Sequence, residues 1–95
     1  AKIHQHQVDA GMAHHIYHRP AHGQGQFFSG HQPPFISLGD YTALQENMTF
    51  SVEPGLYDAE RGFGINPSDN LRVTPNRGIR FSAAPFSKEW SFLEL

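Results

Sequence analysis

A single carboxylate at the end of an alternating segment is the first feature that could do chemistry. Apolar and polar side chains alternate from Met48, and the last polar position of the run is Glu53. Because successive side chains of a strand point to opposite faces, the alternation predicts a strand with Glu53 on its polar face. Pro54 and Gly55 are typical of a turn and would end the strand there. A glutamate at such a position is usually only solvated, so the pattern alone does not assign it a role.

Two histidines stand beside local signals that could place them in a site. His22 is followed by Gly23 and Gly25, and two glycines this close let the backbone approach a ligand or a partner. The Gly-x-Gly does not by itself indicate phosphate binding, because no third glycine follows in register and no helix is predicted after it. His31 precedes two prolines that favour an extended path, so it is expected on a loop or strand end. A lone histidine there is more often structural than catalytic.

The other histidines are a feature of composition. All seven histidines of the chain lie between His4 and His31. Protonating all of them would change the formal net charge from −2 to +5 (−2 + 7), so self-association should change around pH 6 to 7. His4 and His6 are two residues apart and would not share a helix face. Exposed histidines of this kind could still bind metal without specificity.

Short strands and one helix are the elements that would position these side chains. Residues 1–12 are predicted to form a helix with Gly11 as its C-terminal stop. A hairpin turn is predicted at 75–78. The apolar tail, 90–95, is expected to pack on the sheet or on another segment. Strands are predicted at 14–19 (running into a loop at Ala21), 27–28, 48–53, 63–74 (with a break at Pro67) and 79–82.

Size and composition limit the possible classes of protein. The 95 residues are 38% hydrophobic, which predicts one small domain, 1–95, or part of a larger one. The net charge of −2 and the absence of a Lys/Arg cluster argue against nucleic acid or an anionic membrane as the partner. Without cysteine there is no disulfide, thiol nucleophile or Cys-based zinc site, which is typical of a cytoplasmic protein. The chain begins without Met, and we expect it to be a piece of a longer protein.

Several short motifs occur together in the order and near spacing of one family. They are His22-Gly-x-Gly25, His31-x-Pro33-Pro34, Val52-Glu-Pro-Gly55, Gly62-Phe-Gly64 and Val73-Thr74. Over residues 8–82 the chain resembles the C-terminal half of the pita-bread metallopeptidases, which include Xaa-Pro aminopeptidase, Xaa-Pro dipeptidase, methionine aminopeptidase and creatinase. The nine-residue step from His22 to His31 is more similar to the Xaa-Pro members.

The resemblance implies a fold. It implies an α+β architecture, in which a curved, mostly antiparallel sheet with one N-terminal helix forms half of the duplicated pita-bread barrel. The sheet would cradle the site, and helices would cover its outer side. Half a barrel leaves a sheet edge and an apolar face exposed, so we expect self-association or a missing N-terminal half that covers them.

The resemblance also implies a metal site. The family holds two divalent metals with two aspartates, one histidine and two glutamates, and a second histidine binds substrate or shuttles protons. By position, His22 matches the ligand histidine, Glu53 the first ligand glutamate, and His31 the second, catalytic histidine. Manganese, cobalt, iron or zinc would suit these donors, and a bridging hydroxide would attack the scissile amide.

The chain departs from the family pattern at three of the five ligands. The two aspartates lie upstream on a hairpin in the family, whereas Asp9 lies in a predicted helix. The last ligand glutamate aligns with Ser68, a neutral residue. Asp69 is adjacent but should point to the opposite face of the strand. A dinuclear metal site made by this chain alone is therefore not expected.

Three functions remain open from the sequence. The chain could be part of a metallopeptidase that is inactive without the segment carrying the aspartates. It could instead be a pseudoenzyme that keeps the cleft to bind a peptide or small molecule, or to dimerise, which Ser68 favours. A third possibility is a His-rich fragment that binds metal nonspecifically. Neither nucleic acid nor a membrane is expected as a partner.

Overall fold

An antiparallel sheet organises the chain, and one helix precedes it. In the computed structural model the described residues are 2–25, 30–84 and 94. Within them the structure agrees with the predicted α+β class. The elements are α1 (Lys2–Asp9), a 3₁₀ helix (Ala13–His15), β1 (Ala21–Gln24), β2 (Gln32–Ile36), β3 (Thr49–Val52), β4 (Leu56–Asp58), β5 (Phe63–Ile65), β6 (Asp69–Val73) and β7 (Gly78–Arg80).

The strand order places β1 between the two strands next to which the other candidate residues lie. The five-stranded sheet has the order β2-β1-β3-β6-β7, and its neighbouring strands are all antiparallel. β4 and β5 form a separate antiparallel ribbon. Because β1 lies between β2 and β3, the residue that precedes β2 and the residue that follows β3 can both reach a side chain on β1. This topology positions the candidate site.

The helix ends where its sequence predicts. Gly11 has a φ of +79°, the left-handed conformation that glycine adopts without strain. The Gly11 N–H donates to the Val8 carbonyl at 2.9 Å and the Met12 N–H to the Gln7 carbonyl at 3.0 Å. These two bonds form a Schellman motif, which satisfies carbonyls that a helix end would otherwise leave open. Gly11 is thus confirmed as the stop, although α1 is shorter than the predicted 1–12.

The strand predicted at 14–19 is wrong. Those residues form the end of the 3₁₀ helix and an irregular segment, and the strand begins at Ala21, where a loop was expected. The glycines after His22 favoured a loop in the sequence, but Gly23 lies inside β1, paired with Gln32 of β2 and Phe50 of β3. A glycine is suited to this place because the β2 backbone approaches it too closely for a side chain.

The second half of the chain follows its predicted pattern. The strand expected at 48–53 is β3, and the segment 63–74 divides into β5 and β6 on either side of Pro67. The hairpin turn at 75–78 is confirmed, since Val73 pairs with Gly78 across β6 and β7. The strand predicted at 79–82 is β7. The strand predicted at 27–28 and nearly all of the tail, 90–95, lie outside the described residues.

The described part of the chain has a small apolar core. Proline apart, only Ala21 and Phe50 of its apolar side chains are buried. In the same part of the chain nine large apolar side chains are exposed: Met12, Tyr17, Leu38, Tyr41, Leu44, Phe63, Ile65, Ile79 and Phe81. The expected exposure of apolar surface is therefore observed, while self-association or a covering segment stays a prediction. Within the described residues, no helix is both long and apolar enough to cross a membrane.

A carboxylate holds the loop that follows β2. Asp40 accepts hydrogen bonds from the Phe35 N–H at 2.7 Å and the Thr42 N–H at 3.0 Å. Hydrogen bonds from Thr42, and then from Phe35, hold the pKa of Asp40 below its usual range because they favour the charged carboxylate. The loop is thereby tied to the last residues of β2.

Replacing Gly23 with alanine should separate β1 from β2. A Cβ at this position would lie 2.7 Å from the Gln32 carbonyl oxygen and 2.8 Å from that of Pro33, both backbone atoms of β2. We expect Gly23→Ala to lower the free energy of unfolding by about 1–3 kcal/mol, the usual cost of overpacking. Urea unfolding measures it. Gly78→Ala is the control, because its Cβ would meet only the Leu71 side chain, at 3.3 Å. Equal losses in both variants would contradict the expectation.

Candidate metal-binding cleft

The three site residues expected from the sequence converge around His22 on β1. His22 lies on β1, His31 immediately precedes β2, and Glu53 immediately follows β3. One nitrogen from each imidazole and one carboxylate oxygen all lie within 4.8 Å of one another. Residues up to 31 positions apart in the sequence thus meet because β1 pairs with both neighbouring strands.

A hydrogen bond to the backbone determines which ring nitrogen of His22 carries the hydrogen. The side chain is buried, and its Nδ1 lies 2.9 Å from the Gly23 carbonyl oxygen. A carbonyl oxygen only accepts hydrogen bonds, so Nδ1 carries the hydrogen. Metal-binding histidines are commonly oriented by such a bond from the nitrogen that does not bind the metal. Nε2 is then the atom that faces the site.

A proton or a metal ion would stabilise the contact between His22 and Glu53. Nε2 of His22 lies 2.7 Å from Oε1 of Glu53. With the hydrogen on Nδ1, a neutral imidazole would direct its lone pair at a carboxylate, and the two would repel. A proton between the two atoms removes the repulsion, and so does a metal ion that draws a ligand atom from each side chain. The pair is therefore built around a position for positive charge.

The end of β3 explains why Glu53 points at His22. His22 pairs directly with Ser51 across β1 and β3, and Ser51 is buried. Glu53 comes two residues after Ser51, so its side chain returns to the same face, as the alternation predicted. The Glu53 N–H donates to the Pro20 carbonyl at 2.7 Å, which keeps the end of β3 beside the start of β1.

The His31 ring lies against the His22 ring, but the nitrogens of the two rings do not point to a common position. The two rings are stacked, with centroids 3.8 Å apart and planes 17° from parallel. A metal ion lies near the plane of the imidazole that binds it, and two stacked rings have no common in-plane position. In this arrangement His31 is therefore beside the ion position rather than a second ligand to it. The side chain is exposed and accessible to a bound molecule.

The carboxylates that could complete the site are engaged elsewhere. Asp69 forms an ion pair with Arg80, so it does not turn toward Glu53. Asp9 accepts a hydrogen bond from Gln5 at 2.7 Å on exposed α1. The side chain next to Glu53 on this side is Ser68, whose Oγ lies 3.5 Å from Oε2 of Glu53. A neutral hydroxyl thus lies beside Glu53, at the residue that the resemblance aligns with the last ligand glutamate.

The sequence did not point to three residues of the cleft. The cleft has a volume of about 270 Å³ and is lined by His18, Arg19, His22, His31, Glu53 and Asn66. The Arg19 guanidinium lies 3.8 Å above the centre of the Phe35 ring, a cation–π contact that fixes it at the cleft wall. The only local signal for Arg19 was its place just before Pro20, at the approach to β1.

The donor set fits part of a divalent-metal coordination sphere. One imidazole nitrogen and one carboxylate oxygen are suitable ligands for manganese, cobalt, iron or zinc. Two ligands are fewer than the four to six that these ions require in proteins. Water, a bound molecule or another protein segment would have to supply the remainder.

Comparisons with known proteins agree with the motifs. Residues 1–75 match the family model described as metallopeptidase family M24. An Xaa-Pro dipeptidase of Pyrococcus furiosus is 33% identical over 72 residues, which cover 76% of this chain and 20% of that protein. An Xaa-Pro dipeptidase of Lactobacillus delbrueckii subsp. lactis is 43% identical over 50 residues, covering 53% and 13%.

Solved structures agree with the fold. The crystal structure of dipeptidase PepE from Mycobacterium ulcerans superposes with a TM-score of 0.76 and 34% identity, covering 86% of this chain and 21% of that one. An Xaa-Pro dipeptidase from Bacillus anthracis gives a TM-score of 0.75 at 25% identity, covering 86% and 22%. The α+β fold implied by the resemblance, a mostly antiparallel sheet with one N-terminal helix, is thus confirmed. The chain spans about a fifth or less of the length of these relatives.

Proposed function

This chain belongs to metallopeptidase family M24, and we propose that it forms part of a divalent-metal cleft of the Xaa-Pro dipeptidase type. The part that it supplies contains His22, His31 and Glu53. The observation that carries the proposal is the 2.7 Å contact of His22 Nε2 with Glu53 Oε1 while Nδ1 is committed to the Gly23 carbonyl. A metal bound there would supply Lewis-acid polarisation of a peptide carbonyl and activation of water.

Each of the three residues has a separate task in the proposed cleft. His22 presents its Nε2 lone pair, in an orientation that the Gly23 carbonyl fixes. Glu53 supplies the anionic ligand atom. His31, exposed and stacked on His22, is the catalytic histidine, which donates a hydrogen bond or a proton to a bound peptide at the mouth of the cleft.

The chain alone is proposed to be inactive. It contributes two of the five ligands that the family uses, since Asp9 lies on α1 and Ser68 replaces the last glutamate. A second segment that carries the aspartates would complete the cleft. Either a missing N-terminal half or a second copy would also cover exposed apolar side chains such as Phe63 and Phe81. Manganese as the ion and a cytoplasmic location stay predictions from the sequence.

Ser68 supports a second candidate function. Its neutral hydroxyl lies 3.5 Å from Oε2 of Glu53, and the neighbouring Asp69 is paired with Arg80. A lineage that lost the bridging carboxylate could keep the cleft to bind a peptide or a small molecule, or to dimerise, without dinuclear catalysis. This pseudoenzyme function and the peptidase function differ in whether a completed cleft hydrolyses its ligand.

The isolated chain should not hydrolyse an Xaa-Pro dipeptide. We expect no release of the N-terminal residue above the metal-only background with Mn²⁺ or Co²⁺, because a single partial coordination sphere cannot hold two metals. The measurement is chromatographic detection of the released amino acid, with Glu53→Gln as the matched variant. Turnover by the unmodified chain that Glu53→Gln abolishes would contradict the proposed inactivity.

Restoring a carboxylate at position 68 should strengthen metal binding. In Ser68→Glu, a second carboxylate would lie beside Glu53, and added ligand charge raises the affinity for divalent metals. We expect the Kd for Mn²⁺ to fall by about tenfold or more in calorimetric titration, or about 1.4 kcal/mol. Ser68→Gln has the same shape without the charge and should bind like the unmodified chain. Equal affinities for the two variants would show that position 68 does not face the metal.

A further inference from the structure

Three residues of the segment before β1 converge on one tyrosine outside the proposed ligand set. His15 Nδ1 lies 2.9 Å from the Tyr57 carbonyl oxygen, and His18 Nε2 lies 2.9 Å from the Tyr57 hydroxyl. The Tyr17 ring stacks on the Tyr57 ring, with centroids 5.7 Å apart and planes 16° from parallel. These contacts explain why the segment does not form the strand that its sequence predicted.

The hydrogen bond between His18 and Tyr57 has a defined direction. Nδ1 of His18 lies 2.8 Å from the Arg19 carbonyl oxygen, so Nδ1 carries the hydrogen. Nε2 of the neutral ring is then an acceptor, and the Tyr57 hydroxyl donates to it. This is the arrangement of His22, with one difference. Nε2 of His18 faces a hydroxyl donor, whereas Nε2 of His22 faces a carboxylate.

The turn that carries Glu53 is fixed at both ends to the same short segment. At one end the Glu53 N–H donates to the Pro20 carbonyl at 2.7 Å. At the other end the Tyr57 hydroxyl binds His18. The Gly55 N–H donates to the Glu53 carbonyl at 2.8 Å and tightens the turn between them. The segment 18–20 therefore holds both sides of the ligand glutamate.

The close approach of His18 to this turn depends on a glycine. A Cβ on Gly55 would lie 2.5 Å from His18 Nε2 and 2.6 Å from the Tyr57 hydroxyl oxygen. Any side chain at position 55 would therefore displace one of the two hydrogen-bonding atoms. Gly55 is needed here for space, in addition to the turn chemistry that the sequence indicated.

We propose that His18 and Tyr57 are positioning residues that hold the Glu53 carboxylate at His22. Neither residue is a ligand in the proposed metal site, on whose existence this inference rests. Their hydrogen bond, the 18–57 latch, keeps the turn after β3 closed. Without it, the backbone bond to Pro20 and the contacts of His15 and Tyr17 with Tyr57 would remain, but no hydrogen bond would hold the Tyr57 side chain to His18, and Glu53 would leave the 2.7 Å contact more often.

Tyr57→Phe tests the latch in the full chain, because it removes the hydroxyl and keeps the ring that stacks on Tyr17. The first readout needs no metal: hydrogen exchange of the Glu53 amide by NMR should become about three- to tenfold faster, as expected for one lost hydrogen bond. Exchange of the β3 amides should not change. Tyr41→Phe is the control, because Tyr41 is 94% exposed. Unchanged Glu53 exchange in Tyr57→Phe would overturn the proposal.

The second readout is the Kd for Mn²⁺, which should rise about three- to tenfold in Tyr57→Phe and stay unchanged in Tyr41→Phe. His18→Ala should raise the Kd to the same extent. The double variant should bind Mn²⁺ no more weakly than either single variant, because both substitutions remove the same hydrogen bond between residues 18 and 57. A weaker Kd accompanied by a general increase of exchange along β3 would show a merely structural role and overturn the proposal.

The failure of the latch and the failure of the metal site are distinguishable. If the unmodified chain binds Mn²⁺ through His22 and Tyr57→Phe leaves both the Kd and Glu53 exchange unchanged, only the latch is wrong. If the unmodified chain binds no Mn²⁺, the proposed function is wrong, and so is the role of the latch in metal binding. Faster Glu53 exchange in Tyr57→Phe would then leave the hydrogen bond as a structural contact.

Discussion

The contact between His22 and Glu53 is the interaction around which the residues of the cleft are arranged. Two atoms that carry negative charge or a lone pair lie 2.7 Å apart, and the backbone removes the alternative tautomer by occupying Nδ1. Such a contact is favourable only with a proton or a metal ion in place. The neighbouring residues maintain this contact. Ser51 pairs with His22 and so places Glu53 on the same face of the sheet, the Pro20 carbonyl binds the Glu53 N–H, and the His31 ring stacks on the His22 ring.

Strand pairing in the sheet, more than a hydrophobic core, determines where these residues lie. Within the described part of the chain two apolar side chains are buried, so the strand ladders and a few long-range hydrogen bonds determine the geometry. Because Gly23 has no side chain, the β2 backbone can pack closely against one side of β1, and β3 pairs with the other side. A sheet of this kind shapes one wall of a cleft, and its exposed apolar side chains indicate surface for a further segment to cover.

The features that the sequence predicted are those decided by local chemistry. Alternation placed Glu53 on the correct face, Gly11 ended the helix, and the turn before Gly78 formed its hairpin. The start of β1 was missed because glycine is a loop signal locally, whereas at position 23 it is required by contact with a strand ten residues away. Such a requirement is visible only once the pairing is known.

The residues of the cleft could be predicted only in part from the sequence. His22, His31 and Glu53 were found through the motifs that they share with a family, and the structure brings them together. His18 and Tyr57 carry no local signal, because their bond joins residues 39 positions apart. Ser68 is the reverse case: the sequence predicted a serine at the position of the last ligand glutamate, and the structure places its hydroxyl beside Glu53.

The central claim is that a divalent metal ion binds between His22 and Glu53, and paramagnetic broadening by Mn²⁺ in NMR spectra tests it most directly. With less than one equivalent of Mn²⁺, signals of His22, His31 and Glu53 should broaden first, and Glu53→Gln should abolish the effect while His14→Ala should not. Broadening centred on His4, His6 and His14, and unchanged by Glu53→Gln, would contradict the account and leave a histidine-rich chain that binds metal without a site.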